Sequence, residues 1–234
     1  KSLLKGNLKF IYSPETLKDY KNTVVMNAEL DQIYLSNDEM SEMFGISEKF
    51  DSVIGKVQLK GTLNDLEVSE LNIINRSFSL EGSGRTKNLF DSHPSISIQI
   101  NEAKLFPKKF ASVFKIYSSN KITEKIKRIG DLVVKGSIDY FDKKLSANLF
   151  ALSNRGKFYL SSKLELSFKS NKGLFFNDIN SNLKFEDFNL SNIFRGIGKI
   201  NGEFFIKANG PISKIRLSNS SGIIKSIDVF SNTY

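Results

Sequence analysis

The chain has 234 residues, enough for one or two ordinary domains or one extended array. It holds no cysteine, which excludes disulfides, thiolate metal sites and cysteine nucleophiles, and no apolar run approaches the ~20 residues that cross a bilayer as a helix. The formal net charge of +9 points toward nucleic acid, an acidic protein or an anionic membrane as partner. The chain begins without methionine and shows no signal peptide, so it is read as a segment of a longer protein whose membrane anchor lies elsewhere. Phenylalanine is abundant (20) and proline scarce (4), a composition that favours long strands.

In chain order, Leu4–Phe10 (LKGNLKF) opens as a strand with a glycine inside it. Ser13-Pro14-Glu15-Thr16 offers an N-cap serine, a proline at the first helical position and an early acid, predicting one or two helical turns to about Tyr20. Val24, Met26, Ala28 and Leu30 alternate, and after Asp31-Gln32 the apolar positions shift to Ile33 and Leu35. Ser36 and Glu39 have capping-box spacing ahead of a short helix over 37–44. Val57–Ile74 (VQLKGTLNDLEVSELNII) then reads as strand, glycine, short polar break and strand. Val57, Leu59 and Leu63 occupy the apolar phase, with Gly61 in line with them.

Phe78 and Leu80 run into Gly82 and Gly84. Ile96, Ile98 and Ile100 alternate, and past Asn101-Glu102 the phase passes to Ala103 and Leu105. Residues 107–129 are the largest predicted helical insertion. Phe106, Phe110, Val113, Phe114 and Tyr117, then Ile122, Ile126 and Ile129, make an apolar stripe. Its back carries seven basic residues and one acid. Leu132–Tyr140 (LVVKGSIDY) repeats the earlier phrase, with Val134 and Ile138 in phase. Leu145 to Ala151 alternate and turn at Ser153–Gly156. The return strand is the cleanest: Phe158, Leu160, Leu164, Leu166 and Phe168 on one face, Tyr159, Ser161, Lys163, Glu165 and Ser167 on the other. Leu183 and Phe185, then Glu186-Asp187, then Phe188 and Leu190 give a third phase slip, followed by a short turn at 191–194. Phe204–Ile212 (FFIKANGPI) repeats the glycine phrase more loosely, and a last strand covers 223–230.

Gly61, Gly136 and Gly210 stand 75 and 74 residues apart. Each phase slip falls on a polar pair (Asp31-Gln32, Asn101-Glu102, Glu186-Asp187), as either a β-bulge or a strand end would require. The spacing predicts three units, about 1–84, 85–156 and 157–234, forming one continuous groove. Most turns are too short for parallel crossovers. The fold class is therefore mainly β: an elongated, curled antiparallel sheet of repeated units with short helices. A long apolar face of this kind must meet a second sheet, a lid or a ligand.

Catalytic signatures are missing. His93 is the one histidine, and it precedes Pro94. Gly82-Ser83-Gly84 lies in a strand pattern with no helix after it, which fits a bent strand better than a phosphate loop. The acids of the polar pairs alternate faces and cannot converge as an acid/base couple. The chain is therefore read as not an enzyme, with no cofactor, no metal and no nucleic acid. The basic back of 107–129 has two readings: a solvated face, or contact with anionic lipid head groups through Lys121, Lys125, Lys127 and Arg128.

The runs LKGNLKFIYSPETLKDY and VQLKGTLNDLEVSELNI, with ITEKIKRIGDLVVKGSID and LKFEDFNLSNIFRGIGKINGEFFIKANG later in the chain, resemble the TamB group of the AsmA-like superfamily. The resemblance spans nearly the whole chain and corresponds to a middle segment. It implies a β-taco groove of an inner-membrane-anchored protein that crosses the periplasm and carries phospholipid acyl chains between inner and outer membranes. It also implies a link to barrel assembly in the outer membrane with an Omp85-type partner. On that reading the groove is lined by Val57, Leu59, Leu63, Ile98, Ile100, Val134, Ile138, Phe158, Leu160, Leu164, Leu166, Phe168, Phe204 and Ile206. The alternative is a periplasmic scaffold or chaperone that pairs its sheet edges with nascent barrel strands. A polysaccharide-binding array is a third reading. It calls for exposed aromatics on the polar face, where Tyr159 and Phe205 qualify.

Overall fold

The computed structural model describes residues 1–39, 51–109, 128–169, 173–191, 196–211 and 216–229. Strand accounts for 73% of it, and the expected mainly-β, antiparallel fold is what the chain adopts. The strands are β1 (Leu3–Ile11), β2 (Val25–Leu35), β3 (Val53–Gly61), β4 (Asp65–Ile74), β5 (Phe78–Lys87) and β6 (Ser95–Leu105). They continue as β7 (Leu132–Phe141), β8 (Lys144–Ser153), β9 (Gly156–Lys169), β10 (Gly173–Asn189), β11 (Ile197–Pro211) and β12 (Arg216–Val229). They form a single 12-stranded antiparallel sheet in chain order that is not closed into a barrel. The chain divides into two compact units, one of Lys1–Ala103 with Asp139–Asp142, the other of Lys104–Ile138 with Lys143–Tyr234. Among the described residues no helix is long and apolar enough to cross a membrane.

Local sequence explains the connections. Thr16 donates its amide to Ser13 O at 3.1 Å and to Ser13 Oγ at 3.4 Å, but helical structure starts later than expected. The 3₁₀ turn is Thr16–Asp19, with Glu15 and not Ser13 at its N-cap position and no side-chain cap bond there, and α1 (Tyr20–Thr23) follows. Ser36 Oγ accepts the Glu39 amide at 3.5 Å, but the Glu39 carboxylate turns away and accepts from Ser2 N at 2.7 Å, so the capping box is half made. The rest of that helix lies outside the described residues. So do most of 107–129, including Lys121, Lys125 and Lys127, and most of the turn at 191–194.

One strand boundary differs from expectation. The strand expected to run through Leu63 ends at Gly61, where φ is +131. A Cβ there would lie 2.1 Å from Asp65 O, so only glycine fits this close approach. Thr62 N then donates to Asp65 O at 3.0 Å and Asp65 N to Thr62 Oγ1 at 3.1 Å, closing the turn. Leu63 belongs to that turn and not to the strand face. The other two phrase glycines share the conformation, with φ of +140 at Gly136 and +127 at Gly210.

Two of the three polar pairs are register shifts. The β2–β3 pairing jumps from Leu30 to Ile33, and the β10–β11 pairing jumps from Phe185 to Phe188. Asp187, inside the second, has φ +49. At the third pair, burial passes from Ile100 to Ala103, so the phase slips there too. Gly82 and Gly84 sit in β5, where a Cβ would meet Gln99 O at 2.3 Å and Ser97 O at 2.7 Å. They serve close strand approach.

Five of the ten buried apolar residues among the described ones are alanines: Ala28, Ala103, Ala147, Ala151 and Ala208. Small side chains are covered by their taller neighbours on the same face. The taller Leu, Ile and Phe side chains of the same rows are mostly half-buried.

Candidate functional site

Directly paired residues on antiparallel strands share a face, so register assigns the faces. In the second unit the apolar face is built of cross-strand rows. One runs Ala151, Phe158, Phe185, Gly202, Ile224, and the next Leu149, Leu160, Leu183, Phe204, Gly222. Then come Ala147, Ser162, Ser181, Ile206, Ser220, and last Leu145, Leu164, Ile179, Ala208, Leu217. Phe158, Leu160, Leu164, Leu166, Phe204 and Ile206 are all half-buried, while Ala151 is 1% exposed. β8 to β12 pack along their lengths against their neighbours in the sheet.

At one end of this face the rings of Phe158, Phe185, Phe188 and Phe204 pack together. Phe158 meets Phe188 edge-on at 6.0 Å, and Phe185 lies 5.4 Å from Phe188 and 5.8 Å from Phe204. The bulge at Glu186-Asp187 brings Phe188 back into phase with Phe185, and Phe188 is 3% exposed. A concavity of about 490 Å³ opens among Leu183, Phe185, Leu190, Ile200, Phe204 and Ile224. Its size lies within the ~300–1,000 Å³ of small-molecule sites. In the middle of the apolar face, Ser162 and Ser181 satisfy each other through a 2.6 Å hydroxyl contact.

The first unit repeats the pattern. Its rows include Ala28, Leu59, Val68, Gly84 and Leu30, Val57, Leu71, Gly82. Gly82 stands beside Ile100, which is buried, and Gly84 beside Ile98, which is half-buried. In the second unit Val134 is buried and Ile138 half-buried, both in the apolar phase of β7. Phe168 lies on β9 opposite Leu174. Arg128 is exposed in the turn before β7.

Register also adds residues that alternation alone did not single out. Leu145 and Leu149 join Leu164 and Leu160, and Leu183 and Phe185 stand between β9 and β11 on the same face. The signal was present, since both β8 and β10 alternate, but their membership follows from pairing.

The opposite face is polar and closes its own interactions sideways. Ser161 donates to Asn148 Oδ1 at 2.8 Å, Asn182 Nδ2 to Glu203 Oε1 at 2.6 Å, and Lys184 pairs with Glu186 at 2.6 Å. The hydrogen bond with Glu186 raises Lys184 above the ordinary lysine value, and the same bond lowers Glu186 below the usual carboxylate range. His93 Nδ1 lies 3.1 Å from Asp142 Oδ1 on the surface. Among the described residues no group of three His, Asp or Glu side chains could hold a metal ion.

Compared with protein-family models, with curated proteins and with solved structures, the chain finds no match.

Proposed function

We propose that the apolar face is a conduit for phospholipid acyl chains, and that the chain is part of a bridge between inner and outer membranes across the periplasm. One observation carries the reading. The face is made of Leu, Ile and Phe side chains most of which stay half-buried, and at β12 Ile224 is 51% and Leu217 70% exposed. Fully burying such a side chain is worth about 1.5–3 kcal/mol, so each half-buried one leaves part of that unrealised. An acyl chain lying along the rows supplies it without directional bonds and can slide. The polar edges of the strands keep a head group in water. The resemblance to the TamB group supports the same reading and supplies the periplasmic setting.

A second reading is a scaffold that pairs its sheet edges with barrel strands of an Omp85-type partner's clients.

Native mass spectrometry of the purified chain, with a liposome-to-liposome phospholipid transfer assay, separates the two. The conduit predicts released phospholipid. It also predicts that Leu164→Arg removes most of the transfer while the circular dichroism spectrum stays that of the parent. A lipid-free chain with no transfer overturns the conduit and leaves the scaffold.

A further inference from the structure

The polar face holds a second concavity, on the reverse of the proposed lipid path. It measures about 490 Å³ and lies wholly within the second unit, among residues of β7 to β11. Two cross-strand rows build it. One runs Phe150, Tyr159, Lys184, Glu203, and the neighbouring row runs Asn148, Ser161, Asn182. On β7, Lys135 and the Gly136 backbone complete its lining.

Its chemistry is specific. The Phe150 and Tyr159 rings lie 5.0 Å apart at 40°, forming an aromatic plate, and Tyr159 keeps 36% of its surface exposed. Lys184 Nζ lies 5.2 Å from the centre of the Tyr159 ring, and its charge is matched by Glu186. Tyr159 Oη donates to Glu186 at 3.3 Å. Hydrogen bonds therefore hold the plate in place before any ligand arrives. The Asn182 amide is fixed as well, because its Nδ2 donates to Glu203. Its Oδ1 is buried and finds no donor among the described residues, and with almost no accessible surface it is out of a ligand's reach. The Glu203 carboxylate has further lone pairs for a ligand donor, and the Asn148 and Ser161 side chains line the hollow beside it.

The first unit has a comparable hollow of about 330 Å³ on its own polar face, around Asn27, Gln58 and Lys60. Asn27 Oδ1 is likewise buried without a donor. That hollow has no aromatic residue among its lining, so the plate is particular to the second unit.

We propose that the Tyr159 hollow binds the pyranose ring of a neutral saccharide. A pyranose presents an apolar C–H face to stack on an aromatic plate. Its rim of hydroxyls suits the Glu203 carboxylate and the Asn148 and Ser161 side chains. Charge does not favour an anion: of the two lysines lining the hollow, Lys184 is committed to Glu186 and Lys135 is engaged as well, and Glu203 stands in the hollow itself. The reading is independent of lipid transfer, because these side chains point away from the apolar rows.

The test is calorimetric titration of the purified chain with two neutral probes, tri-N-acetylchitotriose and cellotriose. Saturable binding of at least one is expected. Tyr159→Ala and Glu203→Ala each weaken it tenfold or more, and Tyr159→Phe, which keeps the plate, holds it within about threefold. Lys207→Ala, on the same face outside the hollow, leaves it unchanged. Tyr159 is surface-exposed, and unchanged circular dichroism and an unchanged urea midpoint show that each variant folds. Absence of heat with both probes overturns the proposal. Binding that survives both alanine substitutions in folded protein also overturns it.

Discussion

β9 carries two chemistries on one ribbon. Phe158, Leu160, Leu164 and Leu166 point one way, while Tyr159, Ser161, Lys163 and Glu165 point the other. The polar side chains find partners sideways: Ser161 on β8, Tyr159 with Phe150 on β8 and Glu186 on β10. Hydrogen bonds and ion pairs are directional and short, so one layer of neighbours suffices. Apolar side chains need cover from above to be removed from water, and a single sheet gives them only flanks. The two faces therefore reach different degrees of completion on the same backbone. The polar face is largely closed, and among the described residues the apolar face is closed around Phe188, at the low-lying alanines and at a few Val and Ile positions such as Val134 and Ile200.

That difference has a direct thermodynamic consequence. Phe188→Ala removes a ring that is 3% exposed and packed against Phe158 and Phe185. It is expected to cost about 3–5 kcal/mol, the range for a buried Phe in a core. Leu164→Ala, on the same face but half-buried, is expected to cost about 1 kcal/mol, because much of the side chain is already wet. Urea unfolding of the two variants measures the gap. Equal losses would show that Leu164 is covered as a core residue is, and would remove the basis for an open apolar face.

A middle-sized effect tests the backbone that keeps both faces in register. Gly136 has φ +140, and a Cβ there would sit 2.0 Å from Asn148 O on the adjacent strand. Gly136→Ala is expected to cost about 2–3 kcal/mol from strain at a conformation that L residues avoid, together with the displaced strand contact. The loss should appear as faster amide exchange at β7 and β8 and leave β2–β4 of the first unit protected. A variant as stable as the parent would show that the glycine is incidental, and with it the common conformation at Gly61 and Gly210.

Much of this was legible in the sequence because period-two alternation reports directly on a strand with one wet face. The phase slips at Asp31-Gln32 and Glu186-Asp187 were legible for the same reason: one shift in register moves every later side chain to the other face. Leu63 was not, because the apolar phase continues through Gly61 into the turn, and only the positive φ and the Thr62–Asp65 hydrogen bonds end the strand. The hollow beside Tyr159 was visible only through that one residue, because Phe205, the other exposed aromatic, lies outside its lining. Tyr159, Lys184 and Glu203 come from three strands. Their row exists because Lys184 pairs with both Tyr159 and Glu203, and no local pattern encodes that register.

The smallest expected effect belongs to the polar face of the first unit. Arg85 Nε and Nη2 each reach the Asp65 carboxylate at 3.1 Å, a two-pronged pair. The side chains remain 52% and 47% exposed, so water and salt screen most of the attraction. The hydrogen bond from Arg85, larger than its charge alone, lowers the Asp65 carboxyl below its ordinary value. A carboxyl depressed in the folded state adds stability above its unfolded value and loses it as pH falls through the folded one. Asp65→Asn should therefore lower the urea midpoint slightly at neutral pH, less than Leu164→Ala does, and the difference should vanish once the medium is acidic enough to protonate Asp65. A gap that persists unchanged into strong acid would mean that the substitution acts through the Thr62–Asp65 turn and not through charge. If the pair contributes as expected, the polar face is held by many such small lateral contacts, and no single one of them should matter as much as Phe188.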